Sequence, residues 1–557
     1  MKQVLILNIT RMGDVVQTGP LIARLAKEWP GCAVDIVVDR RFAPVAALLP
    51  GLREVIAYDF HQLIDESRAA LKDVVSLYRE IADWVRPLSE RRYDRIINLT
   101  FNRASALLAA SIGAPDIRGA RSAWDGGTVV DNPCLAYFAD MHHFRRINRF
   151  NLVDIYAVGG SGPGPFTPLV LTIDTEAQEW ARHRLGSGGH ERTSWIAVQA
   201  GASDVMKAWR PQLFGRTLAL LSKGWAGGFL FVGTESERDV VAQAVHSYHA
   251  AEGKNPIKNM VGQTSILQVM ALLAESRLLL TNDTGPMHLA VAVGTPVVDL
   301  SVGHVDFWET GPYGSGHWVL QPDFECAPCG FDRVCAHQAC KDRLQVDQVA
   351  ALLLHILGRG PFPSGIDQFR IYQSDVDEDG LGTFRCRAGY EPVHESWYAA
   401  FWRRYWYRSF TGELSRTPPV HAPPPDLDDA MQAIGSLVPA LDRSCAMADE
   451  IVRVATARSV DVGKLKTLQR SLAGERDQLV QMGMSSLATK PITVAFLRAL
   501  QGDNVEGLAE MTRHQMRAYR QWRDRLVEVE HVLGRMDQGE RAKRSRSPYA
   551  SVGVRGA

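Results

Sequence analysis

The stretch LLLTNDTGPMHLAVAVGTPVVDL (278–300) decides the fold. Its first apolar run reads as a buried strand ending at Asp283-Thr284-Gly285. A short helix then starts at Pro286 and stops at Gly294, and a second strand begins at Pro296. Proline just inside a helix start and glycine just past its end follow the asymmetry of helix termini. Strand, helix and strand in succession make a parallel crossover unit. That unit sets Thr284 and Gly285 at a helix N-terminus, where unpaired backbone N–H groups and the helix dipole attract phosphate. His288, four residues after Thr284, shares that side of the first turn. Any parallel crossover offers this much, so the string takes its meaning from its surroundings.

Two other segments supply them. VQAGASDVMKAWRPQLF (198–214) also leaves a strand into a Gly/Ser loop; Lys207 there reads as a cation for a diphosphate or as a plain solvated lysine. NITRMGDVVQTGPL (8–21) repeats the strand-to-loop arrangement, with Gly13 at a tight turn and Asp14 at a helix start. Asp14 reads as a helix N-cap or as a general base facing a crevice. Helix-start donors would lower its pKa and burial would raise it, and the sequence leaves the balance open.

Further out, VLILNI (4–9), AVDIVVD (33–39), REVIAY (53–58) and DRIINLT (94–100) read as strands with helical stretches between them. After the Gly/Pro-rich GGSGPGPFTP (159–168), the pattern restarts with SWIAVQAG (194–201), GFLFVG (228–233), SRLLLTND (276–283) and PVVDLS (296–301). The expectation is two Rossmann-like α/β domains, 1–160 and 161–358, with a ligand in the crevice at their strand ends. Residues 359–417 read as an aromatic-rich connection. Within it WYAAFWRRYWYRSF (397–410) carries eight aromatics and three arginines, suited to a core, to a membrane interface or to gripping an acceptor. Asp375-x-Asp377-x-Asp379-Gly380 opens like a calcium loop but has Cys386 at its twelfth position, so it reads as a turn. Apolar residues at helical spacing predict a helical bundle over 418–538, followed by a basic, disordered tail over 539–557.

Composition bounds what such a chain does. With 62 basic and 62 acidic residues among 557, there is no global field to steer nucleic acid, and any anionic partner must be met locally. The opening MKQVLILNITRMGD lacks the apolar length of a secretory signal, and no run approaches a membrane span, so a cytoplasmic protein is expected. Four of the eight cysteines, Cys326, Cys329, Cys335 and Cys340, fall in one short segment. In a reducing compartment they read as a structural zinc or iron shell, with His337 a substitute ligand, or as a metal-free loop.

R-M-G-D-V-V-Q-T-G-P-L, G-A-S-D-V-M-K-A-W-R-P and N-D-T-G-P-M-H-L-A-V-A-V-G-T-P, in that order, resemble glycosyltransferase family 9, the bacterial ADP-heptose:lipopolysaccharide heptosyltransferases. The resemblance covers roughly 1–358. It implies a GT-B fold and an inverting transfer needing no cofactor, with nucleotide sugar held by the C-terminal Rossmann-like domain and acceptor by the N-terminal one. Carried over, it makes Asp14 the base and Lys207, Asp283, Thr284, Gly285 and His288 the donor contacts. Glu235 becomes a ribose contact, with Glu237 competing for that place. Arg103, Arg118 and Arg121 of the N-terminal domain read as solvated surface or as candidates to meet a phosphorylated acceptor. Similar cysteines ligate iron in family members that glycosylate autotransporter proteins. The implied partners are ADP-heptose and a glycolipid acceptor of the lipopolysaccharide core, with a protein acceptor as the alternative. Peripheral contact with the inner membrane and oligomerisation are compatible with it. An epimerase of the same fold, or a scaffold without turnover, is the reading from another class.

Overall fold

The computed structural model describes residues 1–60, 73–123, 125–186, 194–330, 335–501 and 507–546. The first sheet contains β1 (Gln3–Leu7), β2 (Ala33–Asp39), β3 (Glu54–Tyr58), β4 (Arg95–Asn98), β5 (Asp116–Ser122) and β6 (Thr128–Asp131), in the order β3-β2-β1-β4-β5-β6. β1 pairs in parallel with both β2 and β4. All seven residues of β2 are buried, as expected of a parallel strand covered on both faces. The helix expected from Asp14 onward is two helices, Met12–Val16 and Gly19–Glu28, the second with proline at its start.

The second sheet contains β7 (Trp195–Gln199), β8 (Gly228–Phe231), β9 (Ile257–Asn259), β10 (Leu279–Asn282), β11 (Val297–Leu300), β12 (Trp318–Pro322), β13 (Phe369–Val376) and β14 (Gly382–Ala388). Its order is β14-β13-β12-β11-β10-β7-β8-β9, so the six parallel strands repeat the strand order of the first sheet. The chain has the GT-B fold. In such sheets the chain reverses direction across the sheet at one point, and the crevice beyond it takes the ligand. Here those points lie between β1 and β4 and between β7 and β10. The segments that follow β1, β7 and β10 carry Asp14, Lys207 and Asp283.

The sheet continues past residue 358. β13 and β14 form an antiparallel hairpin against β12, in a stretch the sequence marked only as a connection. Asp377 closes the hairpin turn by accepting from the Asp379 and Leu381 amides, both at 3.0 Å, while Asp375 pairs with Arg385.

Apart from the end of β5 and the first half of β6, both sheets lie in one compact unit: Met1–Arg121, Val130–Leu135 and Arg149–Glu391. Ser122–Val129, Ala136–Asn148 and the chain from Pro392 onward make a second. Five long helices dominate this second unit: Val393–Thr411, Leu427–Ala455, Val462–Met484, Lys490–Leu500 and Leu508–Arg546. In the first of them Trp397, Tyr398, Phe401, Trp402 and Trp406 are buried, so its aromatics serve as core. Trp522 stacks on Phe496 at 4.3 Å. The last helix runs through Arg546, into the stretch expected to be disordered; residues 547–557 lie outside the described residues. No described helix is long and apolar enough to cross a membrane.

Candidate active site

Asp14 sits in the first turn of the helix after β1. The N-cap is Arg11, so Asp14 is not the capping residue. Its carboxylate accepts from the Thr10 hydroxyl at 3.0 Å. Its carbonyl accepts from Asn8 Nδ2 at 2.9 Å and from the Thr18 hydroxyl at 3.0 Å, which fixes the turn. Burial pushes the Asp14 carboxyl above its ordinary pKa, outweighing Arg11, Thr10 and Lys207, which pull it down. The balance left open by the sequence therefore falls toward the stronger base.

The helix Gly285–Ala292 meets this turn. A Cβ on Gly13 would stand 2.8 Å from Cδ2 of His288, and one on Gly285 would stand 2.2 Å from Cε of Met12. At Gly13 a side chain would press on the buried His288 ring, whereas at Gly285 it would meet the free end of the flexible Met12 side chain. Thr284 is the N-cap of the Gly285 helix but makes no side-chain cap bond. Its hydroxyl lies near Gln199 Oε1 and the Asn282 carbonyl instead, at 3.4 and 3.2 Å. The first-turn amides are thus not capped by that side chain, the condition for an anion site.

Lys207 ends a 3-10 turn, Val205–Lys207, whose N-cap Asp204 accepts from the Met206 amide at 2.8 Å. Its ammonium acts electrostatically on Asp14, Asp283, His288 and Asp299, which brings the three motifs together. Asp283 is buried, receives a hydrogen bond from the Thr310 hydroxyl, and is pushed up to about 6 by burial. His288, also buried, is pushed down to about 4 by burial and by Lys207. Its imidazole is neutral at neutral pH and able to donate one N–H.

Several members of the site escaped the sequence reading. Asn282 Oδ1 accepts from the Trp209 amide at 2.8 Å, and its Nδ2 donates to the carbonyls of Ala200 and Gly201, both at 3.1 Å. It ties the Lys207 loop to the start of the Gly285 helix. The buried Lys341 braces that loop from below, donating from Nζ to the Val205 carbonyl and to Gln338 Oε1. Its own carbonyl accepts from Trp209 Nε1 at 2.9 Å. Asp299, fully buried on β11, has no hydrogen-bond partner for either carboxylate oxygen among the described residues; burial and the nearby Asp283 raise its pKa well above the usual range. The signal for Asp299 was visible: one acid inside the apolar run PVVDLS.

The remaining candidates separate. Glu235 is exposed and paired with Arg238 at 2.7 Å. Glu237 accepts from Gln199 Nε2 and from the Thr234 amide, both at 2.7 Å. Arg118 donates to the Gly160 carbonyl at 2.9 Å at the end of the helix Leu152–Gly160, and Arg121 pairs with Asp131 on β6. Arg103 stands exposed at the first position of the helix Arg103–Ile112. The four cysteines influence one another: burial, then Cys326, Cys340 and Cys335, push the Cys329 thiol up to about 11. The expected metal shell is not found, since no group of three or more His, Cys, Asp or Glu residues among the described residues is arranged to hold an ion. The segment instead braces the Lys207 loop through Lys341 and through the Arg210–Asp342 pair at 2.9 Å.

Residues 81–340 match the family model of glycosyltransferase family 9 (heptosyltransferase). The chain carries a glycosyltransferase family 9 domain. Lipopolysaccharide heptosyltransferase 1 of Pseudomonas aeruginosa is 23% identical over 352 residues, 61% of this chain and 89% of that protein. Lipopolysaccharide heptosyltransferase 3 of Escherichia coli K12 is 24% identical over 302 residues, 53% of this chain and 81% of that one. Among solved structures, a family 9 glycosyl transferase from Veillonella parvula superposes with a TM-score of 0.50 at 20% identity, covering 64% of this chain and 97% of its own. The matched glycosyltransferase domain is followed by a long C-terminal region beyond the matched stretch. Asp14 lies ahead of that stretch.

Proposed function

We propose that the family 9 enzyme transfers heptose from ADP-heptose to a hydroxyl of the lipopolysaccharide core, with inversion at the anomeric carbon, in the cytoplasm. The observation that carries this reading is the meeting of Asp14 with Lys207, the Gly285 helix start and His288 at the two points of sheet reversal. Asp14 takes the proton from the acceptor hydroxyl, and that oxygen bonds to C1 as the bond from C1 to the diphosphate oxygen breaks. The electron pair leaves with ADP. Its charge is met by the Lys207 ammonium, the backbone amides at Thr284 and Gly285, and an N–H of the neutral His288 imidazole. Asp283 accepts from sugar hydroxyls, and Glu235 or Glu237 meets the ribose. The N-terminal domain holds the acceptor, for which exposed Arg103 is better placed than Arg118 or Arg121, both engaged within the fold. No step passes through a metal.

The test offers ADP-heptose, UDP-sugars and GDP-sugars in turn, with lipopolysaccharide core and with polypeptide acceptors, and identifies the product. Asp14→Asn is expected to keep ADP affinity and to lose transfer by about 100-fold or more. Full transfer by that variant would remove Asp14 from the base role. A labelled polypeptide with unlabelled core would replace the acceptor, and free or isomerised sugar without any acceptor would replace the reaction.

A further inference from the structure

The helix Val393–Thr411 buries one aromatic face, but its other side lines a cavity of about 440 Å³ within the second unit. Arg404, Arg408 and Arg525 face this cavity, against one carboxylate, Glu528. Glu528 is already engaged, accepting from Arg408 Nη1 at 3.2 Å and interacting with the Tyr405 hydroxyl. Arg525 lies 5.5 Å from the Trp406 ring centroid and is substantially desolvated. Arg404 Nη1 is buried and has no hydrogen-bond partner among the described residues. A guanidinium N–H removed from water without an acceptor is destabilising, and a bound anion would relieve it. Beside Ser409 and Ser415 the remaining wall is largely apolar, with Phe401, Pro419, Val420, Val532 and Met536, and Leu414, 77% exposed, stands among them. Excess guanidinium beside an apolar wall fits an anion carried on a hydrocarbon arm, and the volume suits a headgroup with the first carbons of its chains.

We infer that this cavity is a binding site for a phosphate-bearing lipid, with Arg404 and Arg525 on the phosphate and Phe401, Leu414, Val532 and Met536 along the acyl arm. Nothing in it depends on the transferase chemistry. The test titrates the full chain by calorimetry with short-chain phosphatidic acid, short-chain phosphatidylcholine and inorganic phosphate, each with and without saturating ADP. Phosphatidic acid is expected to bind, more tightly than either of the others, and ADP is expected to leave its affinity unchanged. Arg404→Gln should weaken it by about tenfold or more. Leu414→Ser, at an exposed position, should weaken phosphatidic acid and leave phosphate unaffected. Displacement by ADP, equal binding of inorganic phosphate and phosphatidic acid, or unchanged phosphatidic acid affinity in both variants would overturn the assignment.

Discussion

Single charges decide how the donor side of the site works. Lys207 is the cation shared by Asp14, Asp283 and His288, so Lys207→Ala should weaken ADP binding by about tenfold or more, read by calorimetry. His288→Ala should weaken it less, because a neutral imidazole contributes one uncharged hydrogen bond. Unchanged donor affinity in both variants would move the diphosphate elsewhere. Asp299 acts on stability. Its folded pKa is raised, so the unfolded chain gives up this proton first, and stability falls as pH rises from the ordinary carboxylate range toward the folded value. Asp299→Asn removes that loss. Its melting temperature should exceed that of the wild type more at pH 8 than at pH 5, and a difference independent of pH would count against a buried, protonated Asp299. The sequence exposed the acids and the lysine by their types, but not which of them burial would neutralise, since that depends on what packs above them.

Between elements, the contact that matters is that of the Met12 and Gly285 helices, and its two glycines should behave differently. A Cβ at Gly13 meets the ring of buried His288, which has little room to turn; a Cβ at Gly285 meets the terminal methyl of Met12, the free end of a flexible side chain. Gly13→Ala is therefore expected to lower kcat/KM at least tenfold by displacing Asp14 from His288, while Gly285→Ala keeps most activity because Met12 swings aside. Equal losses in the two variants, by steady-state kinetics with intact melting curves, would refute the contact. Strands β1, β2, β7, β8, β10 and β11 were legible because each lies in a short apolar run bounded by turn residues. β5, DIRGARS, and β14, GTFRCRA, were not, because they carry charges that are accommodated by neighbouring pairs: Arg118 on Asp116 and Arg385 on Asp375. Asn282 and Lys341 escaped because the loop they brace, with Val205 and Trp209, lies far away in the chain.

At the scale of the whole molecule, the residues after 358 do not simply follow a finished enzyme. The sheet that carries Lys207 and Asp283 takes its last two strands from 369–388, beyond the expected boundary. The helical unit in turn includes Ala136–Asn148, which the chain supplies from between β6 and the helix Leu152–Gly160. In that unit the buried Tyr137 ring lies 5.7 Å from Trp406 and 5.3 Å from Phe410. Asp140 accepts from Arg498 Nε at 3.0 Å in a two-pronged, partly buried pair. A chain cut after Glu391 keeps both sheets but deprives Tyr137 of Trp406 and Phe410 and Asp140 of Arg498. Losing two aromatic contacts and one shielded pair is worth a few kcal/mol, a large share of ordinary domain stability. The truncated chain is therefore expected to melt at least 5 °C below the full chain and to be cut by chymotrypsin within 136–148, where the full chain resists. Arg498→Ala in the full chain should reproduce part of the loss in melting temperature. A truncated chain as stable and as protease-resistant as the full one would show that 136–148 needs nothing from the C-terminal helices.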